Sequence, residues 1–270
     1  MVHMDLQSEV FQRKKFPTIA NFWGIFALLI LASAVIGGTL ALLLPGDKGV
    51  SLFLGYSVPF VIAIVILLMI QKHEFDAKFS SLFGKFDLQI VPYLLLFVLG
   101  FGYVAQFVTE LIPMPTWIKT YFEGLFQVNI WTFLSVCIAA PLLEEILCRG
   151  ILLRSFLINY SVKKALFWSA FFFAVLHLNP WQAIPAFGLG YFMAWLFYKT
   201  NSLIPAILVH FLNNFISYVS AYFFEDKFND VGSEVGWPLN VAFLLLGLGL
   251  VIFSFYRVNK TLKGTEKGNL

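Results

Sequence analysis

Eight apolar stretches dominate the chain, at roughly 22–44, 50–70, 90–112, 130–157, 163–178, 180–198, 203–224 and 238–256. A helix of about 20 apolar residues crosses the hydrocarbon core of a bilayer. Backbone N–H and C=O groups find no water there, so spanning segments must pair their own backbone. The pattern predicts an all-α fold: a polytopic membrane helix bundle with about eight transmembrane helices and an intramembrane polar site. Composition agrees, since 60% of the 270 residues are hydrophobic and 12% are charged, against about half and a quarter in a soluble domain. No internal repeat or second domain is visible, so 1–270 reads as one integral membrane domain, with the chemistry carried by 130–224. No Lys/Arg run or glycine-rich loop points to nucleic acid or nucleotide.

Basic residues orient such a bundle, because cytoplasmic loops carry the excess of Lys and Arg. With eight helices and both termini in the cytoplasm, fourteen of the 18 Lys and Arg residues fall inside, and the outer loops hold only Lys48, Lys119 and Lys227. The stretch 71–89 carries Phe75, Phe79, Phe83 and Phe86 at helical spacing, which predicts an amphipathic helix lying at the membrane surface. Cys137 and Cys148 share one predicted helix, about 16 Å apart along it, too far for a disulfide.

Ionisable residues inside a membrane are costly, and their default reading is functional. Here they are few. The fourth run holds Glu144, Glu145 and Arg149, the fifth His177, and the seventh His210 with Asn213 and Asn214. Glu145 and Arg149 are spaced i,i+4 with the acid first, the favourable order for an ion pair. Glu144 is turned about 100° from Glu145 and needs another partner. Pro141, one turn earlier, lacks an N–H and opens space beside Glu144 by kinking the helix. Phe173 and His177 share a helical face, as do His210 and Asn214, with Asn213 able to substitute.

Taken singly, each motif also has a plain structural reading. The charges can form an ion network, the histidines can be core residues, and the Asn can bond a neighbouring helix. Taken together they open two chemistries. Glu144, His177 and His210 could ligate zinc with one position left for water. Without metal, Glu144 would act as general base while His177 holds the water, and His210 and Asn214 would donate to an oxyanion. A cysteine nucleophile is less attractive, because a buried apolar thiol is inert.

The run EEILCRG, then FAVLH, then HFLNN, resembles the CPBP family of intramembrane proteases. That family includes CAAX prenyl proteases of the Rce1 type and bacterial relatives linked to bacteriocin processing or self-immunity. Its pattern EExxxR, FxxxH, HxxxN is met by Glu144, Glu145 and Arg149, by Phe173 and His177, and by His210 and Asn214. The matched region covers about 141–214. The resemblance implies an intramembrane endopeptidase in which Glu144 and His177 activate water and His210 and Asn214 stabilise the oxyanion. Glu145, Arg149 and Phe173 would support them. It implies membrane lipids as surroundings and a membrane-associated substrate, either a prenylated CAAX-like protein or a peptide or bacteriocin precursor. The working expectation is a metal-free glutamate mechanism, with zinc on Glu144, His177 and His210 as the alternative. A non-proteolytic immunity or envelope-regulating protein of the same fold is the competing function. A proton-relay transporter ranks third, since no internal repeat supports it.

Overall fold

The computed structural model describes residues 15–44, 48–72, 78–118, 128–223 and 236–268. All eight apolar runs are helical: α1 (Ile19–Leu43), α2 (Lys48–Gln71), α3 (Val91–Glu110), α4 (130–159), α5 (Val162–Val175), α6 (Pro180–Thr200), α7 (Ile204–Phe223) and α8 (Gly236–Gly268). No strand occurs among the described residues. Five segments are long and apolar enough to cross a membrane on their own, namely Ile19–Leu43, Lys48–Gln71, Leu88–Glu110, Ile204–Phe223 and Gly236–Lys263. Those spans make the chain an integral membrane protein.

The remaining helices, α4, α5 and α6, form the interior. Every residue from Leu147 to Leu153 on α4 is buried, and α4 packs against α2, α5, α6 and α7. The outer helices turn Leu28, Leu31, Val35, Met69, Leu245 and Ile252 outward. An apolar exterior around a polar centre suits lipid as the solvent.

Aromatic pairs join neighbouring helices within each of the two buried clusters of the core. Phe22 of α1 stacks on Phe172 of α5 with ring centroids 3.5 Å apart, and Phe97 of α3 stacks on Phe192 of α6 at 3.6 Å. Two helix crossings depend on glycine. A Cβ on Gly55 would lie 2.7 Å from Gly37 Cα, and one on Gly100 would lie 2.6 Å from the Gly247 carbonyl oxygen. Close backbone approach of this kind is how membrane helices gain packing contact. Cys137 and Cys148 are free and buried.

Three sequence expectations are corrected. The surface helix over 71–89 does not form among the described residues, and Phe75, like Lys119 and Lys227, lies outside them. In its place are short 3₁₀ turns at Phe79–Phe83 and Leu88–Ile90, joined by extended chain. Gly84 ends the first turn, and the Asp87 carboxylate accepts the Gln89 N–H to start the second. Local capping therefore beats the Phe periodicity. The segment is also tied to the α6–α7 corner, where Leu203 N–H donates to the Leu82 carbonyl and Ser202 Oγ donates to the Gly84 carbonyl.

The fifth helix stops at Val175 instead of continuing to 178. His177 sits in the following turn, Leu178 takes a positive φ of 53°, and Asn179 caps the start of α6 through the Trp181 N–H. At 14 residues, α5 is about 21 Å long, short of the bilayer core. The eighth helix runs beyond 256 to Gly268. Val258 and Leu262 remain buried against the α3 end of the core, which holds its polar extension in place.

Candidate active site

The site is built on α4, whose backbone changes winding around the two glutamates. Leu134–Ala139 and Ile146–Leu153 are π-helical, and the regular Ala140–Glu145 segment lies between them. Such turns are rare and recur at functional positions. Pro141 accounts for the first, because its ring collides with the carbonyl four residues back and it offers no N–H. The wider turn relieves the clash, and the Ala140 N–H donates to Ser135, five residues back. The next donor in line for the Val136 carbonyl would be residue 141, which is proline. Asn214 of α7 takes that role, with Nδ2 donating to the Val136 oxygen at 2.8 Å, while Oδ1 accepts from Asn213 Nδ2 at 3.1 Å.

Glu145 and Arg149 are both fully buried, and Arg149 Nη1 donates to Glu145 Oε1 at 2.8 Å. Arg149 Nη2 donates to the Gly190 carbonyl of α6 at 2.8 Å. Its guanidinium also lies 4.6 Å from the centroid of the Phe173 ring, a cation–π contact strengthened by exclusion of water. Gly190 makes this approach possible: a Cβ there would lie 2.9 Å from Phe173 Cδ1 and 3.3 Å from Arg149 Nη2. Glu145 Oε2 and Arg149 Nε are buried without a hydrogen bond.

The FxxxH spacing has a backbone cause. The carbonyls in the last turn of a helix lack partners within the helix. Here His177 Nδ1 lies 3.0 Å from the Phe173 carbonyl oxygen, four residues back, at the end of α5. A carbonyl only accepts, so the hydrogen is on Nδ1, and Nε2 is the nitrogen available for other work. His210 is arranged in parallel fashion, with Nδ1 3.1 Å from Glu145 Oε1. The Phe173 ring meets His177 edge-on at 5.2 Å and His210 edge-on at 5.3 Å. Phe173 is thus the packing centre that Arg149 and both imidazoles share.

Glu144 stands apart from this cluster. It is 8% exposed, and Tyr56 OH of α2 donates to its Oε1 at 2.8 Å. Its Oε2 is buried and makes no hydrogen bond. The expected offset between the glutamates is therefore present, but no hydrogen bond joins Glu144 to His177, His210 or Asn214. His210 turns to Glu145, because that carboxylate lies on the α7 side of α4. The zinc alternative needs Glu144, His177 and His210 as one ligand group. Among the described residues no three His, Cys, Asp or Glu side chains are gathered in that way. Tyr56 and Gly190 escaped the sequence reading. Neither lies in a motif, and a helical Tyr beside Pro59 or a Gly within α6 looks like ordinary packing.

The comparisons with known proteins agree with the motifs over one stretch of the chain. No curated protein and no solved structure matches the chain. Residues 126–216, which contain every residue of the three motifs, match the family model for type II CAAX prenyl endopeptidase Rce1-like proteins, and the resemblance to the CPBP intramembrane proteases is shown over that stretch.

Proposed function

We propose that the chain is an intramembrane endopeptidase that hydrolyses a peptide bond by carboxylate-activated water. The observation that carries this reading is Glu144: a buried carboxylate, one oxygen held by Tyr56 and the other free of any bond, within a motif set of a protease family. An oxygen so placed can take a proton from water, with His177 Nε2 holding the same water. The hydroxide attacks the carbonyl carbon, and negative charge moves to the carbonyl oxygen. His210 Nε2–H and the second Asn214 amide hydrogen would donate to that oxygen. For His210 this requires both ring nitrogens to carry hydrogen, with the charge resting against Glu145. The C–N bond then breaks, and the proton on Glu144 passes to the leaving nitrogen.

The substrate would be membrane-associated and reached through lipid: a prenylated CAAX-like protein, or a peptide or bacteriocin precursor. The helices of 130–224 would form the catalytic core of a single integral membrane domain. Both termini would face the cytoplasm, following the distribution of Lys and Arg. Purified protein in liposomes should cleave a farnesylated CAAX peptide or a precursor peptide, and Glu144→Gln should not. Equal cleavage by both proteins would remove Glu144 from the mechanism.

A further inference from the structure

We infer that Tyr56 is a positioning residue for Glu144 and that α2 thereby belongs to the working site. This rests on the endopeptidase reading and deepens it. Tyr56 lies 88 positions before Glu144 and well outside the matched stretch 126–216. Among the described residues it supplies the single hydrogen bond that Glu144 makes.

The phenol is itself fixed. Its ring packs on Phe60 one turn later, with centroids 4.9 Å apart. The residue before it, Gly55, is where α2 crosses α1 at Gly37 with no room for a side chain. Pro59 is buried on the same helix. Further along, Gln71 Nε2 donates to the Phe16 carbonyl at 2.9 Å and the Ile151 carbonyl at 3.4 Å, so α2 braces α4 at a second level.

This arrangement answers a chemical need. The last torsion of a glutamate is broad and roughly two-fold, so an unanchored carboxylate exchanges its two oxygens. With Oε1 held by the Tyr56 hydroxyl, the proton taken from water goes to Oε2 and leaves from Oε2. The Tyr56 hydrogen bond persists through both steps, and no proton is transferred to the phenol. Productive geometry in a site of this kind depends on such outer partners.

The test is Tyr56→Phe, which keeps the ring and removes the hydroxyl. With a fluorogenic peptide bearing a farnesylated cysteine and three further residues, kcat should fall about tenfold while KM changes by less than about twofold. The infrared band that disappears in Glu144→Gln should shift in Tyr56→Phe, a readout that needs no substrate. If Tyr56→Phe fails to fold, 3,5-difluorotyrosine at position 56 keeps ring and hydroxyl, alters the donor, and should move the same band. An unmoved band, or wild-type kcat in Tyr56→Phe, overturns the inference. Cleavage by Glu144→Gln overturns the endopeptidase mechanism instead, and the band shift would still report the Tyr56–Glu144 bond.

Discussion

Asn214 and Pro141 are linked through one carbonyl. Pro141 deprives the Val136 oxygen of a helical donor, and Asn214 Nδ2 supplies one from α7 at 2.8 Å. The third motif is thereby fastened to the segment ahead of the first, and the π-turn that precedes Glu144 is held in place. A buried acceptor left without its partner costs about 1–3 kcal/mol. Asn214→Ala should lose stability in that range, read as a lower unfolding midpoint in detergent. Pro141→Ala restores an N–H at position 141. In the Asn214→Ala background it should recover part of the loss, so a double-mutant cycle should show coupling. Additive losses would contradict the link.

Arg149 connects three helices. Its guanidinium reaches Glu145, the Gly190 carbonyl and the Phe173 ring. Removing one partner of a buried ion pair leaves an uncompensated charge and costs about 3–5 kcal/mol. Arg149→Ala should therefore abolish stable expression or lower the unfolding midpoint sharply. Arg149→Lys should also be impaired, because an ammonium cannot present two planar donors and a stacking face together. A Lys variant of wild-type stability and activity would contradict this account.

Gly190→Ala tests the space beside that guanidinium. The added methyl would fall 2.9 Å from Phe173 Cδ1. Overpacking of this kind costs about 1–3 kcal/mol. Since Phe173 also packs against both histidines, cleavage should fall more than stability, and a thermal melt beside a rate measurement separates the two. Unchanged cleavage would mean that Phe173 does not set the histidine positions.

Metal removal should leave the reaction intact. The proposed chemistry runs on Glu144, His177, His210 and Asn214 alone. Protein dialysed against a chelator should keep its cleavage rate, and elemental analysis of the active sample should find no stoichiometric zinc. Loss of activity on dialysis and recovery with zinc would overturn that route.

Much of the fold was legible because lipid enforces it. Long apolar runs have to become helices, and all eight did. The Glu145–Arg149 pair followed from i,i+4 spacing, and its ladder geometry survived the π-winding. What could not be read was contact between distant segments. Nothing near Tyr56 signals that its hydroxyl meets Glu144, and nothing in HxxxN signals that its Asn serves a carbonyl orphaned by Pro141. Periodicity also misled where local chemistry was stronger. The Phe spacing of 71–89 suits a helix, yet Gly84 and the Asp87 cap divide the described part into short turns. His177 looked like a residue within a helix, but it sits just past the helix end and caps it.

On the proposed mechanism, the Glu144 carboxylate drives peptide-bond hydrolysis in the membrane. The most direct test is quantitative proteomics of new C-termini in membrane fractions from cells expressing the wild-type chain or Glu144→Ala at equal levels. A set of C-termini present with the wild type and absent with Glu144→Ala is the predicted result. The same C-termini at the same abundance in both would contradict it.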